Sequence, residues 1–280
     1  MNVENLALVF GLASALSWGA GDFSGGVATK RGNVYSVVLI SQIIGGFFLA
    51  ILALLLRETF PPVIDLAIGG VAGISGVIGL LALYSGLASG RMGIVAPLTA
   101  VLSATIPIIF SLFTEGVPPT MQIIGFVLAL AAVWLLSGAG GSAGVQMVEL
   151  GYALVAGSGF ALFFILIDQA NEVSVFWPLV MARTASVTFI ALFVLLRGAW
   201  ERPSRQHLPL IILAGMLDAL GNAFFTLSAR YGRLDLAAIL SSLYPASTVL
   251  LAQLILHERL DRSQWLGVII ALVAVVLITL

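Results

Sequence analysis

The chain has no cysteine, which removes disulfides, thiolate nucleophiles and thiolate-bound metals from consideration. Charge is nearly as scarce. Twelve Lys and Arg against 13 Asp and Glu give a formal net charge of −1, and charged residues are 9% of the 280. No basic block with interleaved aromatics exists, so no nucleic acid partner is expected. The two histidines, His207 and His257, sit at the edges of apolar stretches without metal-ligand spacing. There is no phosphate-binding loop, which excludes a nucleotide-driven pump on this chain. Gly140-Gly141-Ser142-Ala143-Gly144 matches a nucleophile elbow only formally, since no strand precedes it and no helper histidine is near. It reads as a linker. The expectation is a protein that is not an enzyme and carries no cofactor and no metal.

What the chain has is long apolar runs. Hydrophobic residues are 60% of the sequence, and stretches of about 20 of them, enough to cross about 30 Å of hydrocarbon, recur between short polar breaks. Ten can be placed, at 5–27, 35–56, 65–88, 92–113, 120–138, 149–170, 175–196, 207–229, 234–256 and 262–280. The breaks carry turn and helix-stop residues, as in RETFPP at 57–62 and EGVPP at 115–119. No soluble domain has room to fit, and the runs are continuous where a barrel strand would alternate. MNVENLALVF lacks a basic segment ahead of its apolar residues and reads as the start of the first span, not as a cleaved signal.

The chain also repeats itself. A shift of 146 lays Ala7–Asp22 over Ala153–Asp168, with Ala7, Leu8, Val9, Gly11, Ala15, Leu16 and Asp22 on identical residues. A shift of 142 matches Gly73 with Gly215, Gly79 with Gly221, Gly90-Arg91 with Gly232-Arg233, Gln122 with Gln264 and Gly125 with Gly267. Two homologous halves follow, residues 1–144 and 145–280, with five spans each. Five is odd, so the second half enters the bilayer in the opposite orientation. The expected fold is an all-α membrane protein of ten transmembrane helices in two inverted-topology repeats, an architecture used for alternating access.

Several of these pieces resemble the drug/metabolite transporter superfamily in its EamA-type, ten-helix form. They are Trp18-Gly19 in the first span, Arg183 in MARTASVTF of the seventh, and the stretch from Leu240 to Leu277 with Tyr244-Pro245, Glu258 and Gly267. The resemblance spans essentially the whole chain. The first half departs from the pattern at Gln42, where the family often has an arginine, and in the spacing of Glu115 to Gly125. The resemblance implies a multi-pass protein of a prokaryotic cell (inner) membrane that moves small molecules.

Candidate functional residues are the charges at bilayer depth, because such a charge is costly unless it faces a cavity or a partner. Ser14, Trp18 and Asp22 form one stripe of the first span at i, i+4 and i+8. Asp22 either faces a cavity, as partner of a substrate cation or a proton, or caps a helix end before Ser24-Gly25-Gly26. Its repeat-mate Asp168 opens DQANE and reads as a span terminus. Arg183 needs a counter-charge, from Asp22 or Asp218, or serves a substrate carboxylate through its planar fork of donors. Asp218 stands where the first half has Gly76, and with Asn222 at i+4 makes a polar patch. Phe23, Tyr84 and Phe224 are candidate pocket or packing aromatics, and the resemblance adds Trp18 and Tyr244 as pocket residues. Pro97, Pro107 and Pro245 permit kinks that suit gating or set static shape. Gly21/Gly25, Gly69/Gly73 and Gly215/Ala219 are four apart and allow close helix contact.

The reading that joins these features is a secondary transporter, an exporter of small polar metabolites such as amino acids, working by alternating access. Its path is expected along spans one, three, four, six, eight and nine. Its partners are a small-molecule substrate, the lipid bilayer and protons, and it is a monomer or homodimer. Two alternatives stand beside it: a multidrug or lipophilic-cation exporter, and a non-transporting membrane sensor or assembly subunit. Orientation stays open. A cytoplasmic N-terminus, implied by the resemblance, puts three basic residues on cytoplasmic loops and eight on the opposite ones, the reverse of the positive-inside preference.

Overall fold

The computed structural model describes residues 3–29, 32–88, 92–136, 147–256 and 262–278. The linker at 140–144, His257 and Glu258 lie outside the described residues. Eleven helices and no strand occur among the described residues: α1 Val3–Thr29, α2 Val34–Leu55, α3 Val63–Ala88, α4 Met92–Thr114, α5 Thr120–Leu136, α6 Met147–Gln169, α7 Phe176–Arg197, α8 Leu208–Tyr231, α9 Leu234–Ser241, α10 Tyr244–Leu256 and α11 Arg262–Ile278. Six of them, α1, α2, α3, α6, α7 and α8, contain segments long and apolar enough to cross a membrane, while α5, α11 and Leu98–Thr114 of α4 are shorter apolar helices.

The ninth expected span is two helices. Pro245 has no N–H to return to the carbonyl of Ser241, so the hydrogen-bond ladder is interrupted there. In its place Leu243 N–H bonds the Leu240 carbonyl at 3.2 Å and Ala246 N–H bonds the Leu243 carbonyl at 2.9 Å, a tighter three-residue spacing. Pro245 then sits in the first turn of α10, where a missing N–H costs nothing. By contrast α4 runs unbroken past Pro97 and Pro107.

The principal packing partners lie in opposite halves of the chain. α1 packs on α8, and α3 on α6; α3 on α7, and α2 on α8; α4 on α6, and α1 on α9 and α10. α5 packs on α11, and α2 on α7. Exchanging each helix for its counterpart in the other half maps this set of pairs onto itself. The close approaches are made at glycines. A Cβ on Gly73 of α3 would collide with the backbone carbonyl of Ala182 in α7, and a Cβ on its repeat-mate Gly215 of α8 with the carbonyl of Ser41 in α2. Apolar side chains such as Val127, Leu195, Leu213 and Leu272 are exposed, as suits a surface facing hydrocarbon.

At one end of the bundle, first-half carboxylates close off second-half helices. The Glu58 carboxylate, after α2, accepts the N–H of Val175 at 2.6 Å, the N–H of Phe176 at 2.8 Å and the hydroxyl of Ser174 at 2.7 Å. These are the donors left free at the start of α7. Its backbone carbonyl accepts the Trp177 indole N–H at 3.3 Å. Glu115, after α4, accepts the N–H of Leu234 at the start of α9 at 3.3 Å. Arg233 donates to the carbonyls of Glu115 and Gly116, at 3.0 and 2.7 Å, and pairs with the fully buried Asp235 at 2.8 Å. The hydrogen bonds to Asp235 push the Arg233 guanidinium above its ordinary pKa and keep it charged.

A methyl group at Gly73 is expected to wedge α3 off α7. Gly73→Ala should lower the melting temperature in detergent, at a cost of about 1–3 kcal/mol for overpacking. Gly26→Ala, with nothing within 4 Å of the new methyl, should leave it unchanged or raise it. Equal melting of the two variants would contradict the close-packed junction.

Candidate functional site

A cavity lies where both halves meet, lined by Trp18 and Asp22 of α1, Gln42 of α2, residues of α3 from Gly73 to Leu83, Ser103 of α4, Phe160, Phe163 and Phe164 of α6, Arg183 and Ser186 of α7, Asp218 and Asn222 of α8, and Ser242 and Tyr244 at the α9–α10 break. Each polar group reaches it for a local reason. The helical period turns Trp18 and Asp22 the same way, four residues apart. The break before Pro245 brings Ser242 and Tyr244 to the wall, where an unbroken helix would present only its side-chain surface. Gly46 of α2 leaves room for the stem of Arg183, since a Cβ there would stand 3.2 Å from the Arg183 Cβ.

Arg183 is the centre of the polar lining. Its side chain is only 9% exposed, and its Nη2 stands 2.6 Å from Asp218 Oδ2. Its Nη1 donates to Gln42 Oε1 at 2.6 Å. Gln42 is itself 4% exposed. Asp218 is 36% exposed to the cavity, and Asn222 Nδ2 donates to its backbone carbonyl at 2.7 Å. Asp22 is half-buried, and no hydrogen bond or ion pair to it occurs among the described residues. Among the described residues the lining thus holds one guanidinium and two carboxylates, and the guanidinium is paired with only one of them. Part of the lining is aromatic: Trp18 stacks on Phe164 at 5.4 Å, and Phe164 in turn on the buried Phe225 at 4.4 Å.

Of the residues singled out from the sequence, Trp18, Asp22, Arg183, Asp218, Asn222 and Tyr244 come together at this cavity. Ser14 does not: it is fully buried and donates to the Gly221 carbonyl of α8 at 2.9 Å, a tie between helices. Pro107 and Pro245 are buried off the lining, and the Pro97 side chain is not among those described. Asp168 closes α6, with Asn171 Nδ2 donating to it at 3.4 Å. Phe224 stacks on Phe10 at 6.0 Å, away from the cavity. The lining extends beyond the six spans expected, because α2 and α7 contribute Gln42, Arg183 and Ser186. Gln42 and the three α6 phenylalanines were not among the candidates. A glutamine at bilayer depth was the available signal for the first; phenylalanines in a span have none.

A model of the EamA-like transporter family matches residues 5–138 and again residues 147–280. Among curated proteins the chain is similar to the pseudopaline exporter CntI of two Pseudomonas aeruginosa strains, 27% identical over 127 residues. That match covers 45% of this chain and 44% of the exporter, so it spans less than half of either protein. An uncharacterized protein of Methanocaldococcus jannaschii is 28% identical over 135 residues, covering 47% of this chain and 96% of that protein. A crystal structure superposes with a TM-score of 0.81 over 98% of both chains at 19% identity, a likeness of fold.

Breaking the pair at one partner should cost more than removing both. Arg183→Leu or Asp218→Leu alone is expected to lose about 1–3 kcal/mol, because an unpaired polar group is left behind. The double variant should lose less than the worse single. Thermal melting in detergent measures the order, and strictly additive losses would show that the two groups do not depend on each other.

Proposed function

The chain belongs to the EamA-like transporter family, and from that premise we propose that it is a secondary transporter exporting a small, polar, amine-bearing metabolite, an amino acid or related compound, by alternating access between two inverted five-helix halves. The observation that carries this reading is a carboxylate, Asp22, without a partner among the described residues, on a cavity built by both halves. A charge at that depth is expensive unless something uses it. In this reading Asp22 takes the cargo ammonium or a proton, and the aromatic wall takes the cargo's apolar part. Arg183, a candidate for a cargo carboxylate, already has Asp218 and Gln42 as partners, so a carboxylate would have to displace one of them. The protein is a multi-pass integral membrane protein, which we place in a prokaryotic cell membrane as ten spans, α9 and α10 together making the ninth. Export follows the name of the Pseudomonas relative, whose own cargo is not carried over.

The inverted reading also gives the end ties a role. Glu58 and Glu115 have repeat-mates in Glu201 and Glu258, 143 residues on. Glu201 lies on the connection at the opposite end and offers only its backbone N–H, to the Ser36 hydroxyl at 3.1 Å. We take the Glu58 and Glu115 ties as the closed gate of this state. Opening that end would exchange them for ties at the other.

A second reading, a multidrug or lipophilic-cation exporter, is favoured by the aromatic wall and the spare negative charge. Resistance profiling of expressing cells separates it from the first. The deciding experiment is counterflow in liposomes with a panel of radiolabelled metabolites and lipophilic cations. At least one amine-bearing metabolite should exchange, and Asp22→Asn should slow it by about tenfold or more, as loss of a charged contact implies. A protein that moves nothing under counterflow or an imposed proton gradient would be a sensor or assembly subunit instead.

A further inference from the structure

The cavity has a charge asymmetry that no single residue explains. A guanidinium among two carboxylates could stand between them and neutralise both in part. Here it does not. Gln42 Oε1 accepts a hydrogen bond from Nη1 at 2.6 Å, while Nη2 stands 2.6 Å from Asp218 as an ion pair outside hydrogen-bond geometry, so each terminal nitrogen of Arg183 is turned toward a partner within the protein. Gln42 sits on α2, which packs on both α7 and α8, and at 4% exposure its amide has little freedom to move. Its oxygen accepts the bond without adding charge. The result is a neutral Arg183–Asp218 ion pair on one side and Asp22 on the other, with no cation paired to it among the described residues.

We propose that Gln42 is a positioning residue that holds Arg183 closed on Asp218 and so makes the cavity select cationic cargo, an amine that carries no carboxylate of its own. The inference rests on the reading of the cavity as the cargo site, and narrows the amine-bearing metabolites proposed above to amines without a carboxylate, setting amino acids themselves aside. Their ammonium sits against Asp22, within reach of the exposed face of Asp218. A zwitterion brings a carboxylate that finds Arg183 already turned toward Asp218, whose charge repels it. An anion meets the uncompensated Asp22 with no attraction to offset it.

The test is a charge series on one skeleton, chosen to suit the aromatic wall: phenethylamine, phenylalanine and 3-phenylpropionate. Each is titrated by calorimetry and thermal shift into the full-length, detergent-purified protein and its variants at neutral pH. The wild type should bind the amine about tenfold or more tighter than the zwitterion, with the acid weakest, because like charges brought together are penalised. Gln42→Met keeps the bulk and removes the acceptor, freeing Arg183 to reach cargo or Asp22. The ratio of amine to zwitterion binding should fall by about tenfold. Gln42→Glu keeps the acceptor and should hold or raise that ratio, which also keeps the idea testable should the Met variant fold poorly.

A merely structural Gln42 would weaken all three probes by one common factor in both variants, and that result overturns the proposal. So does a wild type that binds phenylalanine as tightly as phenethylamine. If Asp22→Asn still abolishes that binding, only the charge selection falls and the cavity remains the cargo site. Binding untouched by Asp22→Asn, or no binding of any probe, overturns both.

Discussion

A guanidinium far from water has to be compensated, and the centre of this molecule is arranged around that requirement. Arg183 cannot lose its charge, so the chain brings it an acidic partner from α8 and an amide from α2. One side chain thereby fastens two consecutive helices, α7 and α8, to α2 of the other half. The same arrangement decides the character of the cavity. Because Arg183 is turned toward Asp218 and Gln42, its charge is drawn away from Asp22, and the lining is left with a carboxylate that no described residue pairs with.

The scaffold that makes this possible is two halves interleaved and not laid side by side. Gly73 and Gly215 are counterparts, and each lets a helix backbone touch a helix of the other half, on Ala182 and Ser41. Hydrocarbon solvent does not drive apolar side chains together as water does, so intimate backbone contact and interhelical hydrogen bonds do more of the work. The Ser14 bond to Gly221 and the Ser228 bond to the Ala7 carbonyl at 2.7 Å run between the same two helices, α1 and α8. The cavity lies between such junctions, so any relative movement of the halves changes its shape.

The two ends of the bundle are not equivalent although the sequence that makes them is duplicated. Glu58 and Glu115 reach across to the second half and satisfy the free N–H groups of α7 and α9. Asn33, within its own half, does the same for α2 through the N–H groups of Tyr35 and Ser36, at 3.0 and 3.2 Å. A homologous pair of segments therefore uses a long-range carboxylate at one place and a local amide at the other.

Helix positions were legible in the sequence because they depend on local composition: apolar runs of bilayer length, ended by proline, glycine and charge. The duplication was legible because paired glycines, a Gly-Arg turn and an aspartate rarely coincide by chance in so apolar a chain. Six of the residues that line the cavity were legible for a related reason, since charges and amphipathic rings stand out against hydrocarbon. The rest depends on contacts between residues with no local relation. Gln42 meets Arg183 across 141 positions, Glu58 meets Ser174 across 116, and Ser14 turns from the cavity to a carbonyl 207 residues away. Which acid pairs with Arg183, and which is left facing the cavity alone, was decided only by how the helices pack, because in the sequence Asp22 and Asp218 are equally plausible partners.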